Sequence, residues 1–162
     1  MNEEVVDSRE LDKLLDALDD DKNRSNIIFK SLWAGAKVLQ KNTKESFRQK
    51  LGEGATHYSP YINKPFFEGV TVSGDKAYLE AKVSIMKDYR MKWFETGTVE
   101  RITGYRYRKG TYKKTENTTG SSHSTGRIKP LYFFKSARSS SESAMNEAII
   151  KSLDNALSNL DK

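Results

Sequence analysis

Apolar positions along this chain recur with two different periods, and the switch between them divides it. Residues 7–19 place Leu11, Leu14, Leu15 and Leu18 at helical spacing, with Asp7 as N-cap and Glu10 three residues later as in a capping box. A short amphipathic helix is expected there. Over 22–50 no Pro interrupts, and Ile28, Leu32, Gly35 with Ala36, Leu39 and Phe47 return at three- or four-residue steps. This predicts a long helix, ended at Leu51-Gly52-Glu53-Gly54, where glycine accepts the left-handed backbone of a helix C-terminus.

After an irregular aromatic connection with Pro60 and Pro65, the period becomes two. Antiparallel strands are expected over 69–98. Val70 and Val72 lead into a turn at Ser73-Gly74-Asp75-Lys76, and Ala77, Leu79, Ala81, Val83 and Ile85 then alternate with polar residues. A third run, Tyr89 to Glu95, reads as a further strand ending at Thr96-Gly97-Thr98. Residues 99–127 form a basic arm: alternating aromatic and cationic residues from Arg101 to Tyr112 predict a protruding hairpin. Residues 118–126 have little to bury and are expected to be mobile without a partner. Over 130–160, Pro130, Leu131, Phe133, Phe134 and Ala137 form a core anchor. Ser139 with Glu142 opens a last helix, striped by Met145, Ile149, Leu153, Ala156 and Leu160.

The expected fold class is α+β. A small antiparallel β-sheet is packed by a long helix of the N-terminal half and a C-terminal helix, and a long basic loop or β-arm leaves it. At 162 residues, 36% hydrophobic, the chain suits one domain able to bury a real core without staples. The absence of Cys removes disulfides, thiolate metal sites and a Cys nucleophile, and fits a reducing compartment. No run approaches the 18 apolar residues of a membrane span, and the acidic start is unlike a secretory signal.

The net charge of +6 has a single source. Residues 99–130 carry eight Lys/Arg against Glu100 and Glu116, while the rest of the chain balances; within that rest, the first 21 residues hold nine acids against Arg9 and Lys13. Such asymmetry serves partners rather than fold. The arm's Tyr105, Tyr107 and Tyr112, interleaved with Arg106, Arg108, Lys109, Lys113 and Lys114, suit three roles: docking on an acidic neighbouring subunit, contact with DNA, or a solvated loop.

Catalytic chemistry finds little footing. His57 and His123 lie in loop-like surroundings with no suggestive neighbours, and two His without Cys fall short of a four-ligand zinc site. The Asp19-Asp20-Asp21 run reads as a solvated loop. Glu95, flanked by Trp93 and Phe94, reads as an interface salt bridge or a strand-end hydrogen bond. There is no phosphate loop and no nucleophile elbow, so no enzyme, metal or cofactor is expected.

Two segments carry a family resemblance. Trp93-Phe94-Glu95-Thr96-Gly97-Thr98 is similar to the aromatic-acid-x-Gly-Thr strand ending of the tail-component family of long-tailed bacteriophages, and Lys129 to Ala137 is similar to that family's Pro-Phe-Leu-x-x-Ala stretch ahead of the last helix. The order here is Pro-Leu-Tyr-Phe-Phe, and the loop between the motifs is longer and more basic than the family's pattern. The resemblance implies a non-enzymatic virion protein of the neck, assembled in the host cytoplasm, that completes the tail and joins it to the head. Its implied partners are further copies of itself in a ring, a hexamer, with the head–tail connector and the tail tube or terminator proteins. Genome DNA would pass through the ring without sequence-specific contact, and no membrane is involved. Trp93, Phe94, Glu95, Gly97, Thr98 and the arm residues named above are then the interface candidates.

Overall fold

The computed structural model describes residues 20–115 and 123–159. The helix expected over 7–19 and Leu160 lie outside the described residues. The fold is α+β, with a long N-terminal-half helix, small antiparallel sheets and a C-terminal helix. Helix α1 spans Asp21–Leu51, strands β1 and β2 are Tyr58–Ser59 and Lys64–Pro65, and β3 and β4 are Thr71–Asp75 and Glu80–Ser84. Helix α2 is Arg90–Thr96. Strands β5 to β8 are Arg101–Ile102, Tyr105–Arg108, Thr111–Lys114 and Ser124–Gly126, and α3 is Phe133–Ser158.

Helix α1 opens where the sequence places acids. Asp20 is its N-cap, accepting the Lys22 N–H at 2.9 Å, and Asp21 sits in the first turn where the helix dipole favours negative charge. The acidic run expected to be a loop is thus partly a helix start. Helix α3 runs antiparallel to α1. Ser31 meets Ser152 near one end of the pair, Asn42 donates to Ser141 at 2.8 Å near the middle, and Ser46 donates to the Phe133 carbonyl at 3.1 Å. Gly35 allows close approach: a Cβ there would lie 2.8 Å from Ile149 Cγ1.

The core gathers at the other end of α1. Phe47, Ala55, Phe66, Val70, Met91 and Phe133 are buried together, with Phe94, Leu131 and Phe134 packed against them. Phe47 lies within 4.6 Å of the Phe133 ring centre and 5.5 Å of that of Phe66. Full burial of each such side chain stabilises by about 1.5–3 kcal/mol.

Among the described residues strand pairing is antiparallel throughout, and it forms four two-stranded pieces rather than one sheet. Two expectations within 69–98 are corrected. The hairpin turn lies later, at Lys76 to Leu79, because the Asp75 carboxylate takes the Ala77 N–H at 2.8 Å; Gly74 stays in β3, where Phe29 covers it too closely for a Cβ. The run from Tyr89 to Glu95 is helix α2 rather than a strand. Asp88 accepts the Arg90 N–H at 3.0 Å and starts the turn, and Met91 and Phe94, three apart, both face the core.

Candidate functional site

Helix α2 ends at Gly97, with φ +76°. A Cβ on Gly97 would lie 2.9 Å from the Ile128 carbonyl oxygen and 3.0 Å from Pro130 Cδ, so this turn needs glycine for both backbone and space. The segments Trp93 to Thr98 and Lys129 to Ala137 meet here. The Leu131 N–H donates to the Phe94 carbonyl at 2.7 Å and Tyr132 N–H to the Glu95 carbonyl at 3.2 Å, while the Thr98 N–H donates to Ile128 O and the Ile128 N–H to Thr98 Oγ1, each at 3.0 Å. What the sequence reads as a strand ending is a helix end sewn to the entry of α3.

Glu95 completes the seam. Its carboxylate accepts the N–H groups of Phe134 at 2.8 Å and Lys135 at 3.1 Å, two of the donors that the first turn of a helix leaves unmatched. A cap supplied from 39 residues away explains why α3 starts at Phe133, so that Ser139 and Glu142 lie inside the helix rather than opening it. Glu95 therefore makes hydrogen bonds to backbone within the chain, at a helix end and not at a strand end. Phe133 is buried, Leu131 and Phe134 are half-buried against the core, and Pro130 is exposed.

From this seam the arm rises as an antiparallel ladder. Arg101 pairs with Gly126 and Ile102 with Ser124, the Thr103 N–H donates to the His123 carbonyl at 2.9 Å, and the Thr115 N–H to that of Gly104 at 2.8 Å. Of the tract expected to be mobile, 118–122 lies outside the described residues, and Ser124–Gly126 is strand β8. Strands β6 and β7 form the outer hairpin. Its two-residue turn is Lys109-Gly110, with φ of +48° and +83°, the left-handed pair that matches strand twist.

Register sorts the arm's side chains onto two faces. Arg106 opposes Lys113 and Arg108 opposes Thr111 on one; Tyr105 opposes Lys114 and Tyr107 opposes Tyr112 on the other, their two rings 5.0 Å apart. The Tyr112 hydroxyl donates to the Glu100 carbonyl, and all of these residues are exposed. Among the described residues, no arm cation takes part in an ion pair.

A second cluster sits at the other end of α2, and its only sign in the sequence is the Asp88-x-Arg90 spacing. Asp88 and Ser59 are fully buried. Arg90 grips the Asp88 carboxylate with two nitrogens, at 2.6 and 3.0 Å, and the Ser59 hydroxyl also donates to that carboxylate. Burial alone would raise the Asp88 carboxyl, but hydrogen bonds from the Arg90 side chain, Ser59 and the Arg90 backbone, together with the Arg90 charge, hold it below the ordinary value. The guanidinium stacks on Tyr61 and Phe66 at 4.7 and 4.8 Å, and exposed Tyr61, Tyr89 and Trp93 continue the aromatic surface edge to face. Trp93 thus belongs to this patch through its contact with Tyr89.

His57 and His123 are exposed and engage the fold through their backbone. Among the described residues no three His, Cys, Asp or Glu side chains are grouped as a metal site would need, and no helix is long and apolar enough to cross a membrane. Comparison with protein-family models, with curated proteins and with solved structures returned no match.

Proposed function

We propose that this chain is a ring subunit of the neck of a long-tailed phage, completing the tail and joining it to the head connector around a passage for DNA. The observation that carries this reading is the seam. The two segments similar to the family, more than 30 residues apart, bond to each other around Gly97 and Glu95 and fix the root of a basic arm on a rigid core. A subunit that acts by surface complementarity needs such a part: a stiff base that aims a segment whose side chains find their partners on another molecule.

The test is assembly. The purified protein is weighed in solution alone and after mixing with heads and tails of a long-tailed phage, beside a variant lacking residues 104–124. The full chain is expected to co-sediment with the particles and promote their joining, and the deleted variant to fold but fail to join them. Joining that proceeds equally well with the deleted variant, or a full chain that never associates with either particle, overturns the proposal.

A further inference from the structure

The cationic face of the arm has an unusual local cost. Arg106 and Lys113 are directly opposed across the hairpin with Arg108 two residues along the same face, a placement that brings Cβ atoms within about 5 Å and destabilises through like-charge repulsion. Nothing among the described residues offsets it with an ion pair. The chain also contains the matching charge, since residues 1–21 carry a net −7, with Asp12, Asp16 and Asp19 at steps of four and three residues, the spacing that aligns side chains on one helix face.

Both segments are anchored at known places. The arm root is seamed to the entry of α3, beside the C-terminal end of α1, where Lys50 donates to the Leu131 carbonyl at 2.7 Å. The acidic segment joins the N-terminal end of α1. A helix of 31 residues separates the two points by about 46 Å. Among the described residues, strands β5 to β8 pack mainly on one another rather than along α1.

We infer that the Arg106–Arg108–Lys113 face of the arm docks on the acidic N-terminal segment, residues 1–21, of a second copy of this chain. The contact rests on the ring reading above and names what binds one subunit to the next. Each arm meets a neighbour's acids while its own acidic segment receives another arm, a head-to-tail contact that closes into a ring when the rotation permits. The tyrosine face favours this occupant over nucleic acid, because Tyr107 and Tyr112 pack on each other and the Tyr112 hydroxyl is bonded to Glu100, leaving those rings engaged rather than splayed for base stacking.

The experiment exchanges charges between copies. One full-length variant carries Arg106→Glu, Arg108→Glu and Lys113→Glu, and another carries Asp12→Lys, Asp16→Lys and Asp19→Lys. Mass is followed by sedimentation against concentration at low and at physiological salt, with circular dichroism checking that the exposed reversals leave the fold intact. The parent is expected to self-associate more weakly as salt rises, each variant alone to associate at least about tenfold more weakly than the parent, and a 1:1 mixture of the two to recover association. A parent that stays monomeric up to about millimolar concentration, an arm variant that assembles like the parent, or a mixture that recovers nothing overturns the inference. Duplex DNA binding that the arm variant loses and the mixture does not regain assigns the face to nucleic acid and also overturns it. Failure here leaves the neck proposal to its own mixing test, since subunits joined by another surface would still bind heads and tails.

Discussion

The Glu95 carboxylate accepts the Phe134 backbone N–H at 2.8 Å, so the last turn of α2 caps the first turn of α3. Because the other carboxylate oxygen accepts the Lys135 N–H at 3.1 Å, Glu95→Ala removes two charge-assisted bonds at a helix N-terminus and is expected to lower stability by about 1–2 kcal/mol. Glu95→Gln, which keeps one acceptor oxygen, should lose about half of that. Chemical denaturation of the three proteins measures it; an Ala variant within a few tenths of a kcal/mol of the parent would show that water replaces the cap.

Two glycines with similar backbones should respond differently to a methyl group. Gly97 and Gly110 both have positive φ, but a Cβ at Gly97 meets the Ile128 carbonyl and Pro130, whereas at Gly110 it meets open space. Gly110→Ala is expected to cost about 1 kcal/mol for the left-handed conformation alone. Gly97→Ala adds the clash and should cost about 3 kcal/mol or more. Equal losses in thermal unfolding would mean that the seam yields freely.

The Asp88–Arg90 pair makes stability depend on acid. The folded-state carboxyl lies below its unfolded value, so its contribution is complete above the unfolded value of about 4 and is lost as pH falls through the lower folded one. Asp88→Asn is expected to lower stability at pH 7 by about 2–4 kcal/mol and to flatten the decline below pH about 4. Denaturation midpoints from pH 7 down to 2 give the comparison, and parallel curves for parent and variant would refute the assignment.

The contact between α1 and α3 is tight at one point, Gly35 against Ile149. Alanine is a better helix former than glycine by about 1 kcal/mol, but the added methyl must displace the Ile149 side chain. Gly35→Ala alone is therefore expected to destabilise, and in an Ile149→Ala background the same change should stabilise. A double-mutant cycle reads the coupling, and a coupling near zero would show that Ile149 moves aside without cost.

Much of this fold was legible from periodicity. The limits of α1, the antiparallel hairpin, the buried anchor at Phe133 and the basic hairpin arm follow from spacing and charge, because each is a local pattern that one element can satisfy by itself. The run at Tyr89 to Glu95 was misread because its alternation is short enough to fit either period, and the choice fell to the Asp88 carboxylate, which bonds the first turn of α2. The start of α3 was misplaced for a similar reason: a local capping box at Ser139 lost to Glu95, which lies far away in sequence and 2.8 Å away in space.

The sequence by itself determined the two long helices, the hairpins on either side of α2, the α+β class and the concentration of excess charge between residues 99 and 130, since these depend on side-chain type and near-neighbour spacing. Only the tertiary structure decided that the segments around Gly97 and Pro130 form one seam, that Asp88 is buried against Arg90, and that the arm puts Arg106, Arg108 and Lys113 on one face and its tyrosines, with Lys114, on the other. Those relations depend on which distant backbone donors and acceptors meet and on a strand register in which a shift of one residue exchanges the two faces.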